Sequence, residues 1–225
     1  MNIGFFGDSF CNNKSEGTYI DMLVKQYSLN VVNLGVGGSG VEDVLLLQLK
    51  PFLDSKNYPD ICVFFWTNHG RLFNRYIRHI NAKSVEMFND SPIWLAAKEY
   101  YKHLYDYEYT EIQYKAFLQY VDLNVLSQFP STTKIIHLWS FGSFHCDFSK
   151  EALTPDKVNY LYKFKSGVEI QPALLPLSLV GQSFDMLPRD TRYNHLEGYK
   201  NEIVTSWIKE AIDKYEVGKL LTFNY

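Results

Sequence analysis

An α/β domain built on a parallel sheet is the fold class this 225-residue chain predicts, and three observations carry that expectation. Apolar runs of strand length recur early, at Ile3-Gly4-Phe5-Phe6, at Asn30-Val31-Val32-Asn33-Leu34 and at Ile61 to Trp66. The first two each break at a glycine turn and run on into a helical pattern. The third is apolar at every position, as a strand buried on both faces should be. Strands alternating with helices in this order need crossover connections, which are right-handed and leave the strands parallel.

The elements follow in order. Gly7-Asp8-Ser9 stops the first strand, and a helix is read through Tyr19, Ile20, Leu23, Val24 and Tyr27. The second strand enters Gly35-Val36-Gly37-Gly38-Ser39-Gly40, and a helix follows with Val41, Val44, Leu45, Leu47 and Leu49 as apolar positions. Pro51 and Asp54-Ser55-Lys56-Asn57 are expected to close it. From about 71 to 128 only helical signals occur, among them Ile93 to Tyr101 and Ile112 to Leu126. A crossover usually takes one helix, so this span is expected to be a helical insertion within one domain covering 1–225. Its aromatic residues, including Phe73, Tyr76, Tyr100, Tyr101, Tyr105 and Tyr107, are expected by default to pack, since helical spacing usually marks core, with the lining of a substrate groove as the alternative. Lys134 to Trp139 is a fourth strand, and a short fifth is expected near Val168 to Leu175 inside a proline-broken stretch, 143–187. A last helix runs from His195 to Tyr215, with Ile203, Val204, Trp207, Ile208, Ala211 and Ile212 on its apolar face.

Composition excludes several classes. The 46% hydrophobic and 21% charged fractions are those of a globular chain with a real core. A net charge of -3 and a pI near 6.1 leave no basic footprint for nucleic acid. No apolar run approaches the roughly 20 residues of a membrane span, and a strand starting at residue 2 leaves no room for a signal peptide. Cys11, Cys62 and Cys146 are widely spaced and odd in number, so they read as reduced thiols of a cytoplasmic protein. His137, His145, Cys146 and Asp147 lack metal-ligand spacing, and neither metal nor cofactor is expected.

The chemistry-bearing residues stand where strands end. A Ser after a strand and a tight turn is a cap residue or a nucleophile, and local sequence alone favours the cap. Acyl transfer by such a serine needs a base and donors for the developing oxyanion. The second strand ends in glycines whose N–H groups a substrate oxygen can approach, and the third ends in Thr67-Asn68-His69, which brings a carboxamide. Asn194-His195-Leu196 supplies an imidazole at the start of the last helix.

At these residues the chain resembles the SGNH (GDSL-type) hydrolases. Gly7-Asp8-Ser9-Phe10 is similar to the first block of that family, Asn33-Leu34-Gly35-Val36-Gly37-Gly38 to the second, and Thr67-Asn68 to the middle of the third. His195-Leu196-Glu197-Gly198 resembles the His region of the last block. The resemblance implies a flavodoxin-like three-layer sandwich with a central parallel sheet of about five strands. It implies that Ser9 is the nucleophile and His195 the base, with the Ser9 N–H, the Gly38 N–H and the Asn68 side chain as oxyanion hole. The implied activity is ester hydrolysis; the lack of a large apolar segment and the tyrosine-rich insertion favour a small acyl group, acetyl as the expected case, on a small molecule or carbohydrate.

Two departures stand out. Trp66-Thr67-Asn68-His69 keeps the Asn of the usual Gly-x-Asn-Asp and loses its flanks. The acid normally three residues before the His is replaced by Arg192, so Asp190, five before, is expected to serve, with Arg192 turned away, Asp185 further off and a Ser-His dyad oriented by a main-chain carbonyl as the alternative. Asp8 is expected to organise the first turn. An O-acyltransferase and a catalytically weak SGNH-fold glycan-binding or assembly protein are the alternatives. Gly35 to Gly40 also fits G-x-G-x-x-G, but Asp60 lies at the wrong end of the third strand to hold a ribose, which argues against a dinucleotide.

Overall fold

The computed structural model describes residues 1–77, 80–82, 84–88, 91–141, 160–179, 196 and 198–224. Six parallel strands form one sheet in the order β2-β1-β3-β4-β5-β6: β1 Asn2–Phe6, β2 Asn30–Asn33, β3 Ile61–Trp66, β4 Lys134–Trp139, β5 Val168–Gln171 and β6 Lys219–Thr222. The first five positions are the flavodoxin-like order, and the sheet carries helices on both faces. β3 is buried along its whole length, as its unbroken apolar run requires, and β2 at the edge is half-exposed throughout.

Strand periodicity sorts the core into two layers. Ile3, Phe5, Ile61, Val63, Phe65, Ile136 and Leu138 face one way, against α1 (Tyr19–Tyr27) and α8 (Tyr199–Asp213). Phe6, Cys62, Phe64, Trp66, Ile135 and Trp139 face the other, against α2 (Val41–Asp43), α3 (Lys50–Ser55) and α6 (Tyr107–Tyr120). Rings stack through this second layer, with Phe6 on Phe64 at 5.1 Å, Phe64 on Trp66 at 5.3 Å and Trp66 on Phe164 at 5.2 Å.

The expected single helix after the glycine loop is longer than Pro51 suggested. α2 continues through a π-helical segment, Val44–Leu49, into α3, and Pro51 falls in the first turn of α3, where a missing N–H is tolerated. β5 stops at Gln171 rather than reaching Leu175, since Pro172 cannot donate to a ladder, and α7 (Leu174–Leu179) takes over. β6 was not expected at all, because Lys-Leu-Leu-Thr is too short to show a period. Residues 142–159, the core of the irregular stretch, lie outside the described residues, as do 180–195.

Between β3 and β4 the structure has α4 (Ser84–Met87), α5 (Pro92–His103), α6 and a π-helical continuation, Val121–Val125. Part of this span makes its own small core from Ile80, Val85, Trp94 and Ala97. Two tyrosines tie it to the end of β3: the Tyr101 hydroxyl reaches the Gly70 and Ile80 carbonyls at 2.9 and 3.1 Å, and the Tyr114 hydroxyl donates to the Thr67 carbonyl. No helix among the described residues is long and apolar enough to cross a membrane.

Candidate active site

In an open parallel sheet the ligand crevice lies outside the carboxyl ends of the strands, where the strand order reverses. Here that point is between β1 and β3. Ser9 follows β1, Asn68 follows β3 and the glycine loop follows β2, so three sequence-predicted site residues meet at one sheet edge.

The Ser9 turn is a short 3-10 helix, Ser9–Cys11, capped by Asp8, whose Oδ1 accepts from the Phe10 N–H at 3.0 Å. The capping role thus falls to Asp8, which leaves Ser9 inside the first turn. The same Oδ1 accepts from the Ser140 hydroxyl at the end of β4, at 3.0 Å. Gln48, in the π-helical segment, grips Gly7 on both sides: its Oε1 accepts from the Gly7 N–H at 2.8 Å, and its Nε2 donates to the Gly7 carbonyl at 2.9 Å. Cys11 is fully buried behind the serine, and burial, with the nearby Asp8 carboxylate, pushes its thiol well above the usual range. Such a thiol packs as a small hydrophobe and is not a competing nucleophile.

The glycine loop is laced to that turn. Gly35 N–H donates to the Cys11 carbonyl at 2.9 Å and Val36 N–H to the Gly7 carbonyl at 3.0 Å. The approach is so close that a side chain at Gly35 would stand 2.9 Å from the Asp8 and Gly7 carbonyl oxygens. Next comes a turn, Val36 to Ser39, closed by Ser39 N–H on the Val36 carbonyl at 3.1 Å, with Gly38 at φ 78° in its third position. That is the type II pattern, in which the central amide, here Gly38 N–H, takes no part in the turn's own bond.

Asn68 accepts from the Gly70 N–H through Oδ1 at 3.2 Å, and its Nδ2 makes no hydrogen bond among the described residues. It opens on a cavity of about 460 Å³ walled by α2, the segment after β3, α5 and α6, among them Glu42, His69, Phe73, Tyr100, Gln113 and Phe117. Volumes on the order of 300–1,000 Å³ are usual for small-molecule sites. Tyr100 and Tyr114 therefore line the groove as well as pack, and His69 is buried in its wall with Tyr107 edge-on at 4.5 Å. Burial, and to a lesser degree Asp43, raises the Glu42 carboxyl above the ordinary carboxylate range.

Asp190, Arg192 and His195 lie outside the described residues. The next described position, Leu196, belongs to the same core layer as Phe10 and Cys11. Its carbonyl accepts from Asn201 Nδ2 at 3.3 Å, Asn201 Oδ1 accepts from the Tyr19 N–H at 3.1 Å, and the Tyr19 hydroxyl donates to the Phe10 carbonyl at 2.6 Å. His137 is buried on β4: Trp66 Nε1 donates to its Nδ1 at 3.1 Å, and its Nε2 stands 2.8 Å from the Ser166 carbonyl. Among the described residues no group of three or more His, Cys, Asp or Glu could hold a metal ion.

Sequence reasoning missed Gln48, Arg71 and Ser140. Each acts through a main-chain or carboxylate oxygen far along the chain, and no local pattern marks such a bond.

No protein-family model and no curated protein sequence matches the chain. Among solved structures it is similar to the acetyl xylan esterase AlAXEase, at 17% identity and TM-score 0.44, over 94% of this chain and 100% of the other. It is similar to a catalytic mutant of Axe2, an acetylxylan esterase from Geobacillus stearothermophilus, at 14% identity and TM-score 0.49, over 94% and 93%. A protein from Parabacteroides merdae named as a GDSL-like lipase is similar at 14% identity and TM-score 0.45, over 94% and 95%.

Proposed function

We propose that the chain is a serine ester hydrolase of the SGNH type that removes a small acyl group, acetyl above all, from a polar carrier such as a sugar. The observation that carries this reading is the hydrogen-bonded lacing of the Ser9 turn to the Gly35–Gly40 loop, with Asn68 following β3, the strand next to β1, at the strand-order reversal. The chain of bonds from Leu196 through Asn201 and Tyr19 to Phe10 supports His195, the residue before Leu196, as the base.

In the proposed reaction Ser9 Oγ attacks the acyl carbonyl carbon while His195 takes its proton. The Ser9 and Gly38 N–H groups and Asn68 Nδ2 hold the oxyanion of the tetrahedral intermediate. His195 then gives the proton to the departing carrier oxygen, leaving acyl-Ser9, and water releases the acid by the same steps in reverse order. Asp190 holds the imidazole in the required tautomer. The cavity beside Asn68 suits the carrier: Glu42, Thr110 and Gln113 can exchange hydrogen bonds with hydroxyls, and Phe73, Tyr100 and Phe117 offer ring faces.

Hydrolysis of p-nitrophenyl acetate, lost in Ser9→Ala, is the expected result. Turnover that survives Ser9→Ala would refute the nucleophile assignment. Faster cleavage of long-chain esters than of acetyl esters would refute the substrate reading. A panel of O-acetylated sugars with a second sugar as acceptor separates hydrolysis from acyl transfer.

A further inference from the structure

Arg71, three residues beyond Asn68, has a side chain only 12% exposed, and it contacts the segments that follow β1, β2 and β4. Its Nη1 donates to the Ser39 carbonyl, after β2, at 2.8 Å. Its Nη2 stands 3.8 Å from Asp8 Oδ2, after β1. That oxygen is buried without a hydrogen bond among the described residues, while Oδ1 takes both Phe10 N–H and the Ser140 hydroxyl. The guanidinium also lies over the Phe141 ring, after β4, at 5.2 Å from its centre. One planar cation thus joins the segments that follow β1, β2 and β4 to the segment that follows β3, a task for which a five-donor fork is suited and an ammonium is not.

We infer that Arg71 is a positioning residue that sets the Gly38 amide in register with Ser9. The inference rests on the esterase reading for its catalytic consequence, and on the contacts alone for its structural one. Ser39 is the last residue of the turn that presents Gly38 N–H, and its carbonyl is held by Arg71 while its hydroxyl accepts from Gln48 Nε2 at 3.1 Å. The following amide, Gly40 N–H, is fixed by Asp43 Oδ2 at 2.8 Å. The loop is therefore clamped just downstream of Gly38, and Arg71 also faces Asp8, the cap of the Ser9 turn. Without it the Ser39 carbonyl loses its donor and the buried Asp8 carboxylate loses its facing cation, so both halves of the oxyanion site loosen together.

Arg71→Met and Arg71→Lys test this against wild type, with steady-state hydrolysis of p-nitrophenyl acetate and amide hydrogen exchange over 36–40. In Arg71→Met kcat is expected to fall about 100-fold, the scale of a lost oxyanion donor, with KM within about threefold and faster exchange over 36–40. Arg71→Lys, which keeps the charge but not the fork, is expected to fall in between. If Arg71→Met does not fold, Arg71→Lys alone decides. Exchange over 36–40 like that of wild type in a folded variant overturns the inference whatever happens to kcat. So does an unchanged kcat, or a loss confined to KM, which would make Arg71 a substrate contact. If wild type and Ser9→Ala are equally inert toward esters, the esterase reading fails instead, and the exchange data still decide whether Arg71 fixes the loop.

Discussion

Asp8 and Asp190 are assigned different tasks, and only one of them is orientation of an imidazole. Asp8 spends one oxygen on Phe10 N–H and the Ser140 hydroxyl and turns the other toward Arg71, so it is committed to the Ser9 turn. This is the role its place in Gly7-Asp8-Ser9 suggested, and it leaves the proposed His195 in need of another acid. Asp190 is the nearest upstream acid, because Arg192 stands where the acid usually would. Asp190→Asn is therefore expected to lower kcat by roughly 10⁴, by favouring the wrong imidazole tautomer, with the fold intact by circular dichroism. Near-wild-type turnover in that variant would favour a Ser-His pair oriented by a main-chain carbonyl. At this scale the sequence was informative about which residue types gather at the strand ends, since Ser9, Gly38 and Asn68 are each marked by a break in an apolar run. It was silent on Gln48, whose amide grips Gly7 from 41 residues away and whose neighbours in sequence are leucines.

At the scale of elements, the β3–β4 span is where packing and groove-lining coincide. Tyr101 on the Gly70 carbonyl and Tyr114 on the Thr67 carbonyl bracket Asn68 and His69, so α5 and α6 hold the Asn68 loop from outside the sheet. Removing a hydroxyl leaves a carbonyl without its donor, at a cost of about 1–3 kcal/mol where the site is buried. Tyr114→Phe, at the more buried site, is expected to lower urea stability by about 2 kcal/mol, and Tyr101→Phe by about 1 kcal/mol. Both should lower kcat more than they raise KM, because the Asn68 carboxamide, the proposed oxyanion donor, loses the support of its loop. A double variant whose stability loss is merely the sum would mean the two tyrosines hold the loop independently. The helical character of this span was legible from its periodicity. Its attachment was not, since a tyrosine on a helix looks the same whether it caps a distant carbonyl or simply fills a core. The continuation past Pro51 was hidden for a related reason: a proline reads as a stop unless it falls in a first turn, and the π-helical segment ahead of it leaves no sequence period.

For the whole molecule, the layered sheet places a titratable pair deep in the core, and this fixes a direction for acid stability. His137 sits at full burial with Phe164 stacked on it at 3.9 Å. Its Nδ1 accepts from Trp66, so the neutral ring must carry its proton on Nε2, toward the Ser166 carbonyl. Protonating Nδ1 would set two N–H groups against each other. Burial lowers the His137 pKa from 6.5 to about 4, against the opposing pull of Asp122 and the Ser166 carbonyl. Asp122 is held below the ordinary Asp range despite its burial by bonds from Ser166, Lys165 and Tyr162. For both groups the folded state binds fewer protons than the unfolded chain at acid pH. The His137 contribution is therefore complete above about pH 6.5 and is lost as pH falls from 6.5 to about 4; that of Asp122 is lost below the ordinary Asp range. Between pH 7 and pH 5 the His137 contribution alone amounts to about 2 kcal/mol. Urea unfolding of wild type and His137→Phe at both pH values isolates this contribution, because every other titrating group is common to the two proteins. His137→Phe is expected to be the less stable at pH 7, having left the Trp66 N–H and the Ser166 carbonyl unpaired, and to lose less stability than wild type on going to pH 5. Equal losses in the two proteins would mean that His137 takes up its proton without strain inside the folded core, and that the acid sensitivity originates elsewhere.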